Sequence, residues 1–131
     1  MFAVFGVVLL SAVRAYTAKN YPDQNYPYYS GNYAVESLEP EEALTIVSYN
    51  IWFGEDIEQA IVELKQLQSQ KELDIILLQE MDEAGTRQIA QKLDLNYVYF
   101  PAAIEPTYDR DFGNAILSRW PIVEAKKVIL P

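Results

Sequence analysis

The stretch that decides the fold is DIILLQE at residues 74–80, in which an apolar run leads directly into an amide and a carboxylate. A short continuous apolar run is typical of a β-strand that is covered on both faces. A carboxylate is costly to bury unless it is paired or binds a metal. We therefore expect Glu80 where this strand reaches the edge of its sheet, facing either water or a positive partner.

The residues that precede this strand predict another strand and a helix. Residues 44–49 are rich in β-formers and predict a strand that ends at Asn50. The helical spacing of apolar side chains predicts an amphipathic helix over residues 56–70. A strand–helix–strand crossover of this length makes the two strands parallel, so Asn50 and Glu80 are expected at the same carboxyl edge. Ligands of open α/β sheets bind at that edge.

The residues that follow predict one more helix and three more strands. The helix is expected over residues 86–93, and the strands over residues 97–100, 114–118 and 123–130. Pro101 is expected to end the first of these strands, and a loop of about a dozen residues is expected after it. The order β-α-β-α-β-β-β predicts an α/β domain whose sheet has little cover on its second face.

The residues before the predicted domain differ from it in composition. Residues 1–13 are almost wholly apolar, which is short for a membrane span but suits a signal-peptide core with cleavage after Ala15. Residues 1–15 are therefore predicted to be a signal peptide or a membrane anchor, which makes the protein secreted, periplasmic or membrane-anchored; a buried N-terminal strand or helix is the alternative. Residues 16–43 are rich in Tyr and Pro, follow no period, and predict an extended linker to a domain at residues 44–131.

Composition limits the chemistry that these residues offer. Acidic residues outnumber basic ones 19 to 10, for a net charge of −9. This argues against a large phosphate-tracking surface, because affinity for nucleic acids depends largely on Lys and Arg. The sequence has no Cys, which excludes disulfides and thiolate metal sites. It also has no His, which removes the usual general base near neutral pH.

Asn50 and Glu80 together suggest a cation site. A carboxylate beside an amide suits Mg²⁺, which prefers oxygen ligands, keeps several waters and needs only one or two carboxylates. The residues alone leave simpler interpretations open. Glu80 would then be a strand-end carboxylate that faces solvent, and Asn50 a turn residue that caps the first strand.

Three short motifs occur in order along the predicted domain: SYNI at residues 48–51, LQE at residues 78–80 and GNAILSRWPI at residues 113–122. They resemble the first three motifs of the endonuclease/exonuclease/phosphatase superfamily, which includes DNase I, AP endonucleases, neutral sphingomyelinases and inositol polyphosphate 5-phosphatases. The resemblance implies a DNase I-like four-layer α/β sandwich that cleaves phosphoester bonds with the help of a metal. Residues 44–131 would form the N-terminal half of that domain.

The resemblance also implies roles for single residues. Glu80 matches the carboxylate that binds the divalent metal, Mg²⁺ or Mn²⁺. Asn50 matches the active-site amide that helps to position the metal and the phosphate. Asn114 and Ser118 match a structural strand near the site. The later motifs of the family, an Asp-x-Asn pair, a further Asp and a final Asp-His, do not follow the third motif within these residues, so we expect no hydrolase activity from the 131 residues alone.

Other polar and aromatic residues near the motifs have two interpretations each. Asp82 is expected in a solvated loop or in the first turn of a helix. Trp52 and Phe53 are expected to pack in the core or at the rim rather than to form a substrate platform. Arg110 is expected either to reach a phosphate or to form a loop salt bridge with a neighbouring Asp at position 109 or 111.

Three functional hypotheses follow. The first is the amino-terminal half of a metal-dependent phosphoesterase, whose substrate is a nucleic acid, a phospholipid or a phosphorylated small molecule. The second is a non-catalytic product that keeps this half of the fold for binding. The third is a truncated chain that does not fold stably. Residues 1–13 suggest an association with membranes, and nothing in the sequence indicates a protein partner.

Overall fold

The computed structural model describes residues 19–35, 39, 43–106 and 109–128. The predicted signal peptide or anchor, residues 1–15, lies outside the described residues. Within them, no helix has both the length and the apolar character that a membrane span requires.

From residue 46 to residue 118 the elements follow the predicted order of strand, helix, strand, helix, strand and strand, and two short strands precede them. The elements are β1 (Lys19–Asn20), β2 (Tyr29–Gly31), β3 (Ile46–Asn50), a 3₁₀ turn (Trp52–Gly54), α1 (Ile57–Gln68), β4 (Ile75–Met81), α2 (Glu83–Lys92), β5 (Asn96–Glu105) and β6 (Arg110–Ser118). This order confirms the α/β class.

The strands form one mixed sheet in the order β1–β5–β6–β4–β3, and β2 also pairs with β5. Strands β3 and β4 are parallel, with Asn50 opposite Gln79, whereas the other pairs are antiparallel. The crossover through α1 therefore brings the ends of β3 and β4 to the same edge, as predicted.

The inner face of the sheet packs against both helices. Helix α1 contributes Ala60, Ile61 and Leu64 to the core, because its apolar residues recur at helical spacing. Ile76 and Leu78 of β4 are fully buried in the same core. Burial of one such side chain stabilises the fold by about 1.5–3 kcal/mol. Other core members are Ile89, Ala90, Leu93, Tyr97, Tyr99, Ala115 and Leu117.

The opposite face of the sheet is less covered. Ile46 and Ile116 expose 56% and 46% of their surface there. Part of the face is lined by the segment at residues 122–128, which forms an open groove with Val98 and Phe100 of β5. This agrees with the expectation that the second face has little cover.

The predicted linker is corrected where the structure describes it. Strands β1 and β2 lie within residues 16–43 and extend the sheet by pairing with β5. Tyr33 stacks on Tyr97, with 6.1 Å between the ring centroids. The segment docks because it supplies both backbone partners for the edge of β5 and aromatic area that covers it. The described part is thus not a solvated spacer.

The prediction that Pro101 ends a strand is wrong. Strand β5 continues to Glu105 and pairs with β6, so a β-hairpin replaces the predicted loop of about a dozen residues. The register shifts between Pro101 and Ala103, and an irregularity of this kind tolerates the missing N–H of proline. Gly113 lies opposite, where a Cβ atom would stand 2.1 Å from the Phe100 carbonyl oxygen. The close approach of the Phe100 carbonyl therefore explains why the first residue of the GNAILSRWPI motif is a glycine.

The last predicted strand is also absent from the described residues. Residues 123–128 have no regular secondary structure, and residues 129–130 lie outside the description. The Lys127 backbone N–H donates to the Gln24 carbonyl, and its ammonium group donates to the carbonyls of Tyr21 and Pro101. These bonds attach the segment to residues 21–24 and to Pro101 of β5, and they form no strand ladder.

Candidate functional site

A β-bulge places Glu80 at the edge of the sheet. Leu78 pairs with Ala115 and Met81 pairs with Gly113, so β4 has one extra residue between the two pairs. Leu78 and Met81 are both fully buried, and Gln79 and Glu80 both lie away from the inner face. The backbone of Glu80 is left-handed, with φ of 60°. The chain thus runs from a buried strand into a carboxylate without burying the charge.

Two hydrogen bonds orient the Glu80 carboxylate. Asn50 Nδ2 donates to Oε1 at 2.9 Å, and the backbone N–H of Phe53 donates to Oε2 at 3.2 Å. Both donors are uncharged, and no ion pair of Glu80 occurs among the residues that the structure describes. The carboxylate is therefore held in place while it keeps its negative charge available.

Asn50 is fixed on both sides of its amide. Its Nδ2 faces Glu80, and its Oδ1 accepts the backbone N–H of Trp52 at 3.0 Å. Asn50 itself is exposed at the end of β3. This arrangement brings the two predicted site residues together, and it makes Asn50 an orienting group for Glu80.

The 3₁₀ turn after β3 forms the wall of the site. Phe53 and Gly54 are both left-handed, with φ of 56° and 61°. The Phe53 ring packs against Phe112 at 5.3 Å, which confirms the predicted rim packing of Phe53. Trp52 meets Phe53 edge-on at 5.5 Å and is 70% exposed, so it is not a core residue.

Arg110 crosses from the start of β6 to this turn. Its guanidinium donates to Asp82 Oδ2 at 3.3 Å and also to the Phe53 carbonyl oxygen. Among the salt bridges of the described residues, the partner of Arg110 is therefore Asp82 and not an adjacent Asp. Asp82 Oδ1 accepts the Gly85 N–H at 2.7 Å, which makes Asp82 the N-cap of α2.

The base of the bulge is closed by a tyrosine. The hydroxyl of Tyr99 donates to the Met81 carbonyl at 3.0 Å, and the residue is fully buried. Burial, followed by the nearby negative charges of Asp111 and Asp82, raises the pKa of Tyr99 above its ordinary value. Tyr99 therefore stays protonated and remains a donor under physiological conditions.

The donor set at the edge fits a hydrated magnesium or manganese ion. Within the described ranges, no group of three or more His, Cys, Asp or Glu residues is close enough to form a metal cage. Glu80 is a single oriented carboxylate at a partly exposed edge, and Mg²⁺ commonly binds through one or two carboxylates and several waters. Glu80 is the residue that would hold the ion, and Asn50 would orient the Glu80 carboxylate.

Two other residues implied by the resemblance lie on β6. Asn114 pairs with Phe100 and is exposed on the less covered face of the sheet. Ser118 is buried at the opposite end of the strands, where its Oγ accepts the Trp120 N–H at 3.1 Å. Asn114 therefore lies opposite the bulge, whereas Ser118 lies at the end of β6 that is remote from Glu80.

Sequence reasoning missed the contribution of the backbone to this site. The N–H that reaches Glu80 belongs to Phe53, which is left-handed, a conformation that a Phe side chain gives no reason to expect. Gly54, which follows it, was the available turn signal. Asp is a preferred N-cap residue, so Asp82 was an available signal that α2 begins at residue 83 and not at residue 86.

Comparison with known proteins agrees with this geometry. The sequence model of the endonuclease/exonuclease/phosphatase family matches residues 47–131, a range that contains Asn50, Glu80 and the whole of β6. Neither the curated proteins nor the solved structures gave a match. The mixed sheet with two helices is consistent with part of a DNase I-like domain. The chain belongs to the endonuclease/exonuclease/phosphatase family.

Proposed function

We propose that this chain carries the metal-binding carboxylate of a phosphoester hydrolase that depends on Mg²⁺ or Mn²⁺. The observation that carries the proposal is the 2.9 Å hydrogen bond between Asn50 Nδ2 and Glu80 Oε1, at the edge where parallel strands β3 and β4 end. Membership of the family over residues 47–131 supports the class of reaction.

Each residue has a defined part in this proposal. Glu80 holds the cation through its carboxylate, and Asn50 and the Phe53 N–H restrict the rotation of that carboxylate. A bound divalent cation would act as a Lewis acid and would neutralise charge on the phosphate oxygens. Restriction of the ligand keeps the carboxylate ready for the ion and lowers the entropy lost on binding.

The base for the hydrolysis is not an imidazole of these residues, because the sequence has no His. We therefore propose that turnover needs groups beyond Asn50 and Glu80, and we expect the 131 residues alone not to hydrolyse phosphodiesters. The substrate class stays open among nucleic acids, phospholipids and phosphorylated small molecules.

Metal affinity tests the proposal directly. Calorimetric titration of the 131-residue chain with MnCl₂ is expected to show one site whose affinity falls at least about tenfold in Glu80→Gln. Glu58→Gln is the matched control, because Glu58 is an exposed carboxylate on α1 and the change in charge is the same. Equal Mn²⁺ affinity in wild type and Glu80→Gln would show that Glu80 is not a metal ligand.

A non-catalytic binding module is the second candidate. It is favoured by the lack of His in the sequence and by the lack of a three-carboxylate cluster among the described residues. A chain that unfolds cooperatively on heating but binds no Mn²⁺ would support this candidate. A chain with no cooperative transition would support neither candidate.

We also propose that the protein is secreted, periplasmic or membrane-anchored. The support is the apolar composition of residues 1–13 and the small side chain at Ala15. Expression with cell fractionation, followed by N-terminal sequencing, tests this proposal. An intact N-terminus in the cytosolic fraction would contradict it, whereas a new terminus at residue 16 would identify a signal peptide.

A further inference from the structure

A single guanidinium group connects three parts of the chain beside Glu80. Arg110 lies at the start of β6, and it donates to Asp82 at the start of α2 and to the carbonyl of Phe53 in the 3₁₀ turn. Its side chain is 31% exposed, and that of Asp82 is 21% exposed, so the pair is partly shielded from water. The planar fork of arginine suits two acceptors that lie apart.

The turn that Arg110 contacts also donates hydrogen bonds to both candidate site residues. Phe53 donates its N–H to Glu80 Oε2 at 3.2 Å, and Trp52 donates its N–H to Asn50 Oδ1 at 3.0 Å. The N–H and the C=O of Phe53 flank the same Cα atom. A bond that fixes the carbonyl therefore restricts the direction of the N–H that reaches Glu80.

The turn needs support from outside because its backbone is unfavourable. Phe53 has a φ of 56°, a left-handed conformation that is unfavourable for an L-residue with a Cβ atom. Such conformations persist when the surrounding structure determines them. The contacts that do so include the Arg110 bond to the carbonyl and the packing of the Phe53 ring on Phe112, beside the backbone bond from Gly54 to Ile51.

We propose that Arg110 is a positioning residue that orients the Glu80 carboxylate through the Phe53 peptide groups, with Asp82 fixing the guanidinium. The inference rests on the proposed function for its relevance to metal binding, but the positioning itself is measurable without metal. It differs from a direct role of Arg110 in binding phosphate, because it acts on Glu80 in the free protein.

Amide hydrogen exchange of Phe53 reports the positioning in metal-free protein. Arg110→Gln is expected to speed exchange of the Phe53 amide at least about tenfold, because loss of the carbonyl bond frees the turn. Arg110→Lys keeps the charge beside Asp82 but lacks the fork, so it is expected to behave like Arg110→Gln. Arg87→Gln is the matched control, since it removes an Arg–carboxylate pair, with Glu83, on an exposed part of α2.

Metal titration of the same variants adds the functional readout. Mn²⁺ affinity is expected to fall about tenfold in both Arg110 variants and to change less than about twofold in Arg87→Gln. Circular dichroism shows whether each variant folds. If Arg110→Gln does not fold, Arg110→Lys carries the test.

The outcomes separate this inference from the proposed function. Unchanged Phe53 exchange in a folded Arg110→Lys variant would overturn the positioning role, whatever the metal affinity. Weaker binding of inorganic phosphate with unchanged Phe53 exchange and Mn²⁺ affinity would also overturn it and would make Arg110 a phosphate ligand. If the wild type binds no Mn²⁺, the proposed function fails, and the exchange result alone decides whether Arg110 orients Glu80.

Discussion

Both ends of β4 carry a polar cluster that contains a carboxylate, and the two clusters differ in burial. At the amino end, Arg119 lies 3.0 Å from Asp74 Oδ1 and 2.7 Å from a carboxylate oxygen of Glu72. Arg119 and Asp74 are only 8% and 5% exposed. At the carboxyl end, Glu80 and Asn50 lie at a partly exposed edge, and Glu80 accepts bonds from uncharged donors.

The difference separates a buried cluster whose charges are paired from a partly exposed carboxylate that accepts uncharged donors. Asp74 also accepts the Thr45 N–H at 2.6 Å, and its carbonyl accepts the Arg119 N–H at 3.1 Å, so this cluster links three segments with ordinary backbone geometry. Glu80 instead sits on left-handed backbone and keeps its charge without an ion pair among the described residues. Strained backbone conformations cluster at functional sites.

The largest effect is expected at the amino end. Arg119→Met should lower the free energy of unfolding by about 3 kcal/mol, because it leaves the Asp74 carboxylate buried without its cation. Urea denaturation followed by circular dichroism measures the loss. Lys126→Met is the control, since Lys126 is exposed and its substitution should change stability by less than about 0.5 kcal/mol. A loss below about 1 kcal/mol in Arg119→Met would show that the pair contributes no more than a surface salt bridge.

A smaller effect on the free energy of unfolding is expected at the carboxyl end, where glycine should be more stabilising than alanine. With φ of 60° at position 80, Glu80→Gly should be about 1 kcal/mol more stable than Glu80→Ala, because glycine adopts left-handed backbone without strain. The same pair of substitutions at Glu63, in the middle of α1, should give the opposite sign, with glycine about 1 kcal/mol less stable than alanine.

Urea midpoints of the four variants provide this comparison. Removal of the side chain is common to both substitutions at each position, so the difference between alanine and glycine reports the backbone alone. If glycine is the less stable residue at position 80 as well, the left-handed backbone there stores no strain, and the contrast between the two ends of β4 loses its physical basis.

The parallel pairing of β3 with β4 was the part of the fold that the sequence determined best. The apolar run before Glu80 and the amphipathic pattern between the two strands were enough to predict that β3 and β4 are parallel and that Asn50 meets Glu80. These features depend on hydrophobic period and on the length of the crossover, both of which are local in sequence.

The errors came from residues whose role depends on distant partners. Pro101 looked like a strand end, because nothing in the local sequence shows that Gly113 lies opposite and allows close approach of the two strands. Arg110 looked like a phosphate ligand or a local ion pair, because its partners Asp82 and Phe53 lie 28 and 57 positions away. Tertiary contacts of this range cannot be inferred from spacing.

An effect no larger than the previous one is expected at Tyr99, which joins the buried core to the bulge at the carboxyl end. Tyr99→Phe removes the hydroxyl that donates to the Met81 carbonyl, and it should lower the free energy of unfolding at pH 7 by about 1 kcal/mol. Tyr26→Phe is the control, because Tyr26 is 66% exposed. Urea denaturation at pH 7 measures both variants.

The same variant is expected to alter the response to alkaline pH. Burial, and then the charges of Asp111 and Asp82, raise the pKa of Tyr99 above its ordinary value of about 10. Above pH 10 the unfolded chain has lost this proton and the folded chain has kept it, so the stability of the wild type falls as pH rises. The contribution is fully present below about pH 9, before the unfolded tyrosine ionises.

Tyr99→Phe should therefore lose stability less steeply than the wild type between pH 9.5 and 11.5. Parallel curves for the two proteins over that interval would mean that Tyr99 is not held protonated beneath the bulge, and that the carboxyl end is less firmly attached to the core than its hydrogen bond implies.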